Sequence, residues 1–236
     1  MEWLIFSRRR ILLFLAVFLL LGLLYLLLAG VVHLPSAIEP QDLLRQAVTR
    51  TKAVKSYSYS IKTRLVTRQG TRNLSDLKGS RVLPDGVSVT GKIFNSPVEI
   101  VQLKGVTYVK DRYSAKWLAL NGDRLGDTGV FIAELDPLVL LDFKETPLVV
   151  WGKKERSEKK ELLVLECTPR VANRFLAAQF VDFKYRMYVD PKQHYVTRVK
   201  VEARSKESQT RLFIDLGLDN FDKPLKIEPP AKTSTH

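Results

Sequence analysis

Residues able to carry out acid–base, nucleophilic or metal chemistry are few in this chain and widely spaced. The three histidines are His33, His194 and His236, and none has another metal ligand at a useful spacing. A serine hydrolase would depend on His194 alone, and no Gly-x-Ser-x-Gly elbow is present. Glycines occur singly at turns, so no phosphate-binding loop is formed. This pattern predicts a protein that is not an enzyme and that uses no cofactor or metal.

Cysteine and paired acidic residues also lack the arrangement that catalysis requires. Cys167 is the only cysteine, which excludes an internal disulfide, and it follows apolar residues typical of a strand. We therefore expect a buried thiol and not a nucleophile. Glu134 with Asp136, and Asp219 with Asp222, are close enough in sequence to act as carboxylate pairs. Helix capping and loop solvation explain both pairs better.

The longest apolar run occupies residues 11–32, twenty-two positions without a charge. As a helix rising about 1.5 Å per residue it is roughly 33 Å long, enough to cross a hydrocarbon core of about 30 Å. Arg8, Arg9 and Arg10 directly precede the run and favour a cytoplasmic N-terminus. The sequence predicts a single-pass protein of the cell membrane, with a cytoplasmic segment at 1–10 and an extracytoplasmic C-terminal domain.

A cleaved signal peptide is the alternative to a retained anchor. Signal peptides have an apolar stretch of about 7–15 residues that ends in a small-x-small cleavage site. The present run is longer, and cleavage after Ala37 would place Pro35 where a small residue is needed. No cysteine follows the run, which excludes a lipid-modified N-terminus. We therefore expect the helix to be retained.

Net charge is concentrated outside the apolar run. The chain has 38 basic and 25 acidic residues, of which residues 1–32 hold three and one, so the other 204 carry about +11. This length is enough for one domain with a hydrophobic core. The charge suits anionic lipid headgroups or anionic wall polymers, and a solvated basic surface explains it equally well. The extracytoplasmic location argues against nucleic acid as a partner.

Hydrophobic periodicity predicts one α+β domain at 41–230, after a linker at 33–40. Apolar residues at three- and four-residue spacings predict an amphipathic helix at 41–54. From Tyr57 to Val66 the period is two, typical of a strand with one buried face. Further strand patterns, separated by turn residues, occupy about 71–83, 87–94, 98–103, 106–110, 117–120, 148–154, 161–167, 183–189, 195–204 and 212–218. Short strands joined by tight turns predict an antiparallel meander.

The remaining segments are predicted to be helices and irregular chain. Residues 128–143 are apolar without alternation, which predicts two short helices broken at Pro137, the second capped by Asp136. Another helix is predicted to begin at Thr168. A segment from Phe221 to Ile227 is expected to pack along a sheet edge. Residues 231–236 are expected to be a disordered tail.

Five sequence segments accompany this order of elements: SYSYSIKTRL, SPVEIVQLKGVTYVKDRYSAKWLAL, ELDPLVLL, YRMYVDPKQHYVTRVKV and LFIDLGLDNFDKPLKIEPP. Together they resemble the LolA and LppX/LprG-like group of envelope lipoprotein-carrier and lipid-carrier domains over residues 41–230. The resemblance implies a large curved antiparallel sheet, a half-open barrel whose concave side is covered by a few helices and holds acyl chains. The predicted membrane anchor departs from this group and argues against shuttling between membranes.

The leading hypothesis is a membrane-anchored domain that binds a lipid or a lipidated partner, such as a lipoprotein, in an apolar concave cavity. Candidate lining residues are Ile61, Leu65, Val89, Ile93, Ile100, Tyr108, Trp117, Phe131, Leu138, Leu141 and Met187. Ordinary core packing is the alternative for each of them. Two other functions remain open: an envelope sensor like the RseB-like regulators, acting through contacts with a membrane-protein partner, and a binder of anionic cell-wall polymers.

Overall fold

The computed structural model describes residues 19–21, 38–121, 132–153, 156–157, 160–230 and 233–235. Met1–Glu39 and Pro40–His236 are two separate compact units. Of the transmembrane helix predicted at 11–32, residues 19–21 are described, and they are helical. Within the described ranges, no helix combines the length and apolar character needed to cross a membrane. Arg8, Arg9, Arg10 and Phe131 lie outside the described residues.

One open, curved sheet dominates the unit that begins at Pro40. Its strands are β1 (Ser56–Thr67), β2 (Gly70–Val82), β3 (Gly86–Ile93), β4 (Ser96–Leu103), β5 (Val106–Lys110), β6 (Trp117–Asn121), β7 (Val149–Trp151), β10 (Leu163–Cys167), β11 (Phe180–Val189), β12 (Val196–Ser205), β13 (Arg211–Asp219) and β14 (Thr233–Thr235). The intervening β8 (Arg156–Ser157) and β9 (Lys160–Glu161) form a second, two-stranded sheet. The predicted large antiparallel sheet with few helices is confirmed.

Strand order shows how the sheet is assembled from two meanders. The order is β14-β6-β5-β4-β3-β2-β1-β13-β12-β11-β10-β7, and all neighbours are antiparallel except β14 and β6. The meander β1–β6 and the meander β10–β13 join where β1 pairs with β13. The β14 strand lies within the segment that was expected to be a disordered tail, and it pairs with β6 over Trp117–Ala119.

Among the described residues from Pro40 onward, four helical segments accompany the sheet: α1 (Pro40–Lys52), α2 (Ile132–Leu135), the 3₁₀ helix η1 (Pro137–Leu141) and α3 (Arg174–Gln179). The interruption at Pro137 falls where the sequence predicts it. The helix predicted from Thr168 begins later, because Asn173 caps α3 by accepting a 3.0 Å hydrogen bond from the Leu176 N–H. Val171 instead forms an isolated bridge with Phe143.

The core lies on the helix-bearing face of the sheet, hereafter the core face. In β1, Tyr57 and Ile61 are fully buried on this face, whereas Lys62 on the other face is exposed. The apolar side of α1 packs here, and Thr51 joins the helix to β12. Its hydroxyl donates to the Ala47 carbonyl oxygen (2.7 Å) and accepts from the Val196 N–H (2.8 Å).

The structure differs from two local predictions, one for the end of β3 and one for the segment from Phe221 to Ile227. Phe94, predicted to end β3, instead forms the β3–β4 turn with Asn95, and both have positive φ, at 47° and 64°. This conformation matches the twist of a two-residue hairpin loop. The segment predicted to pack along a sheet edge instead contacts the central strand β1. There the Ser56 hydroxyl donates to the Lys223 carbonyl oxygen at 2.7 Å, because β1 begins beside the end of β13.

Candidate ligand cavity

Two apolar cavities lie on the core face of the sheet beside α2. The first has a volume of about 300 Å³ and is lined by parts of β1, β2, β13, α2 and α3, including Leu65, Leu74, Phe175, Phe180 and Leu212. The second has a volume of about 320 Å³ and is lined by Leu77, Val89, Ile93, Val98, Ile100 and Leu135. Phe94 and Glu134 line both cavities and therefore stand at the boundary between them.

The candidate lining residues named from the sequence are divided between the cavities, the core and the opposite face. Leu65 lines the first cavity, and Val89, Ile93 and Ile100 line the second. The remaining core-face candidates line neither cavity and belong to the buried core: Ile61, Leu138, Leu141 and Met187.

Tyr108 and Trp117 lie on the face opposite the cavities. Ile100 is paired with Val109, so the side chain of the adjacent Tyr108 points away from Ile100. Trp117 is paired with Lys110, which shares a face with Tyr108. Including both aromatic residues in one lining with Ile100 was therefore wrong, because the alternation of a strand separates neighbours onto opposite faces.

Side chains of β1 and β2 attach the α2–η1 segment to the core face. The Tyr59 hydroxyl donates a 2.7 Å hydrogen bond to the Glu134 carbonyl oxygen, and the Tyr57 hydroxyl donates to Asp136 Oδ1 at 3.3 Å. Burial raises the pKa of both tyrosines, which therefore remain protonated donors. Arg81 donates to the Leu135 carbonyl oxygen and pairs with Asp136, each at 3.3 Å.

Asp136 has a different role from the predicted helix cap. It occupies the position before η1, but its side chain makes no capping hydrogen bond. The carboxylate instead accepts from Tyr57 and pairs with Arg81. Partners on two strands thus replace the local cap, and they fix the segment that covers the cavities.

Gly79 allows the Tyr59 ring to lie against β2. A Cβ atom added at Gly79 would be 2.3 Å from Tyr59 Cζ, far inside van der Waals contact. The missing side chain leaves the space that the ring occupies. The ring in turn places its hydroxyl on the backbone of α2.

Three polar side chains form a cluster within the first cavity. The Ser75 hydroxyl donates to Glu134 Oε1 at 3.2 Å, and burial raises the pKa of Glu134. Thr63 is the direct cross-strand partner of Ser75, so both side chains lie on the core face. The Thr63 hydroxyl is buried and has no hydrogen-bond partner among the described residues. Helix capping and loop solvation, the explanations given from the sequence for the acidic pairs, therefore do not account for Glu134.

Phe94 holds a strained conformation at the boundary of the two cavities. Its φ of 47° is uncommon for a bulky residue, and its side chain is 51% exposed. The Arg72 guanidinium lies 5.8 Å from the centroid of its ring. A large apolar side chain and a cation therefore stand together where the cavities approach solvent. No sequence signal indicated this, because an Asn-Ser-Pro turn was the stronger local pattern.

A larger groove of about 950 Å³, hereafter the charged groove, shares Thr63 and Ser75 with the first cavity. It crosses β1, β2 and β10–β13, and its charged side chains form ion pairs such as Lys62–Asp76 (3.1 Å) and Arg186–Glu166 (2.6 Å). Leu148 and Val150, beside and within the edge strand β7, line one end and are exposed.

The Cys167 thiol is buried in the structure, and the possible metal ligands are the His, Cys, Asp and Glu side chains. Cys167 is 7% exposed, and burial raises the pKa of its thiol to about 12, in agreement with the packed thiol expected from the sequence. In the described ranges, no group of three or more His, Cys, Asp or Glu side chains has the geometry to hold a metal ion.

Comparison with known proteins identifies the fold. No protein-family model and no curated protein matches the chain. The lipoprotein LppX of Mycobacterium tuberculosis is similar in structure, with a TM-score of 0.53, 14% identity, and coverage of 82% of this chain and 100% of LppX. LprF of Mycobacterium bovis gives a TM-score of 0.54 at 13% identity, covering 82% and 97%. These likenesses show the LolA/LppX-like fold that the sequence resemblance implied.

Proposed function

We propose that this protein is a membrane-tethered extracytoplasmic module that binds one amphiphile by its apolar part and catalyses no reaction. The observation that carries the proposal is the pair of apolar cavities that Phe94 and Glu134 share beside α2. Each cavity is at the lower end of the range of about 300–1,000 Å³ typical of small-molecule sites. A ligand occupying both would bury an extended apolar chain.

Burial of apolar surface supplies the affinity in this proposal. At about 25 cal/mol per Å², an acyl chain that buries a few hundred Å² gains several kcal/mol. The lining is predominantly aliphatic and aromatic, and the polar side chains are gathered at Thr63, Ser75 and Glu134. This combination of an apolar wall with a few polar groups is the usual composition of a ligand site.

Membrane tethering is the second part of the proposal and is supported by the uncharged run at 11–32 behind three arginines. The module would then lie beside the membrane that supplies its ligand. We expect the chain to sediment with membranes and to resist extraction by alkaline carbonate. N-terminal sequencing that finds a mature chain beginning near residue 38 would overturn the tethering and leave the ligand proposal standing.

Ligand binding is tested on the full-length chain in membranes with a long-chain lipid that carries a diazirine and an alkyne. After photolysis, we expect cross-links on the peptides that contain Leu77, Phe94 or Ile100, because these residues line the second cavity. Labelling confined to the apolar N-terminal run, with none at the cavities, would overturn the proposal.

A matched pair of variants separates cavity occupancy from surface adsorption. Ile100→Trp adds a bulky ring to the wall of the second cavity and is expected to abolish labelling there. Val101→Trp makes a similar volume change at the next residue, which is paired with Tyr108 on the opposite face, and should leave labelling unchanged. Equal effects of the two variants would contradict a ligand within the cavity.

A second candidate function, an interaction module in the envelope, is favoured by the apolar edge at β7. Leu148 is 87% exposed and Val150 is 60% exposed, beside the charged groove. An exposed edge strand can add a strand from another chain. Cross-linking of a membrane protein that is lost on Val150→Lys substitution and unaffected by Ile100→Trp would favour this function.

A further inference from the structure

The strongest unexplained feature of the cavity is the unpartnered hydroxyl group of Thr63. The residue is 8% exposed, and its Oγ1 atom has no hydrogen-bond partner among the described residues. A buried polar group without a partner is costly, and folded proteins contain few of them. Thr63 lines the first cavity and also the neighbouring groove. Its hydroxyl oxygen has almost no accessible surface, so a ligand that bonds to it must first displace the side chains that cover it.

The neighbours of Thr63 complete a polar site of defined chemistry. Thr63 and Ser75 face each other across β1 and β2, and the Ser75 hydroxyl donates to Glu134 Oε1 at 3.2 Å. The single proton of the Ser75 hydroxyl is used in that bond, and the carboxylate retains further acceptor capacity. A ligand therefore meets a hydroxyl that can donate and a carboxylate that accepts.

We propose that Thr63, Ser75 and Glu134 form a headgroup site that selects long-chain amphiphiles bearing a hydroxyl group over free fatty acids. A ligand hydroxyl donates its proton to Glu134 and accepts the proton of Thr63, so both protein groups are satisfied by one group. A fatty carboxylate lacks a proton to donate and places a negative charge beside Glu134. An ammonium group donates to Glu134 and leaves the Thr63 proton without an acceptor. This inference rests on the proposed function.

The test uses three diazirine–alkyne probes of equal chain length, ending in a hydroxyl, a carboxylate or an amine, on the full-length chain in membranes. For the wild type and for each variant, the ratio of hydroxyl-probe to carboxylate-probe labelling at the cavity is measured. The ratio of each variant is then compared with that of the wild type. Differences in membrane partitioning cancel in this comparison. We expect Thr63→Val to lower the ratio by about fivefold, the value of one net hydrogen bond.

Thr107→Val is the matched control. Thr107 is 2% exposed and its hydroxyl also lacks a partner among the described residues, but it lies on β5 and lines neither cavity. The same substitution there should leave the labelling ratio unchanged. Glu134→Gln removes the negative charge and should raise carboxylate-probe labelling, which also lowers the ratio.

The outcomes separate this inference from the proposed function. A ratio of hydroxyl-probe to carboxylate-probe labelling that Thr63→Val does not change would overturn the headgroup site and leave ligand binding intact. A ratio of hydroxyl-probe to amine-probe labelling that Thr63→Val does not lower would also overturn it. Absence of cavity labelling by every probe would overturn the proposed function itself. A thermal melt of each variant serves as the control that a lower labelling ratio does not come from unfolding.

Discussion

Replacing Gly79 by alanine is expected to destabilise the protein, although alanine is normally better than glycine within a strand. The added Cβ would lie 2.3 Å from Tyr59 Cζ and 2.5 Å from its hydroxyl oxygen. Carbon atoms in contact are normally about 3.5–4.0 Å apart, so the ring must move by roughly 1 Å. Overpacking of this size costs about 1–3 kcal/mol. The movement also breaks the bond from Tyr59 to the Glu134 carbonyl oxygen, worth about 1 kcal/mol net.

The expected loss in the free energy of unfolding is therefore about 2–4 kcal/mol, measured by urea titration of the full-length chain in detergent. The cause is tested by repeating the substitution in a Tyr59→Leu background. Without the ring, Gly79→Ala should be neutral or should stabilise the strand by up to about 1 kcal/mol. An equal loss in both backgrounds would refute the packing argument.

Gly217→Ala serves as the matched control for this experiment. Among the described residues beyond its chain neighbours, its added Cβ would meet the Ser60 hydroxyl oxygen alone within 4 Å, at 3.0 Å. That side chain can rotate away, so a change below about 1 kcal/mol is expected. A comparable loss at both glycines would indicate a general cost of side chains in the sheet and not a specific clash with Tyr59.

Three further experiments test the buried environments of Glu134, Cys167 and Tyr185. Burial raises the pKa of Glu134, so its contribution to stability is lost as pH rises above about 4.3, its ordinary value. Glu134→Gln should thus gain stability relative to the wild type as pH rises above about 4.3 in urea titrations, and a constant difference would contradict this. Burial raises the pKa of the Cys167 thiol to about 12, so iodoacetamide near neutral pH should alkylate the thiol in urea and spare the folded chain. Tyr185→Phe removes a buried hydroxyl that has no partner among the described residues, and it should raise the thermal midpoint; a lower midpoint would reveal a bond to this hydroxyl.

Local patterns in the sequence predicted most individual strands and turns. The alternation from Tyr57 to Leu65 identified β1 and its buried face, because side chains in a strand alternate with a period of two. Lys104-Gly105 predicted a hairpin that the structure contains, with positive φ at both residues. The resemblance to LppX-like proteins added the open sheet, which local patterns could not supply.

The pairing of distant strands decided which residues meet at the site. Ile61 and Leu216 are neighbours across β1 and β13, although 155 positions separate them in the sequence. Period-two alternation shows which side chains of one strand share a face, but only the register relates that face to the next strand. For this reason, the sequence assigned Tyr108 and Ile100 to one cavity lining, whereas they lie on opposite faces in the structure.

Sequence by itself therefore determined the elements, the basic charge and the apolar run at 11–32, because each follows from residue types that are close together in the chain. Only the tertiary structure decided where the cavities lie. A cavity is the space left when side chains from several elements fail to fill a volume, so no single segment encodes it. The meeting of Thr63, Ser75 and Glu134 depends in the same way on strand register and on the docking of α2.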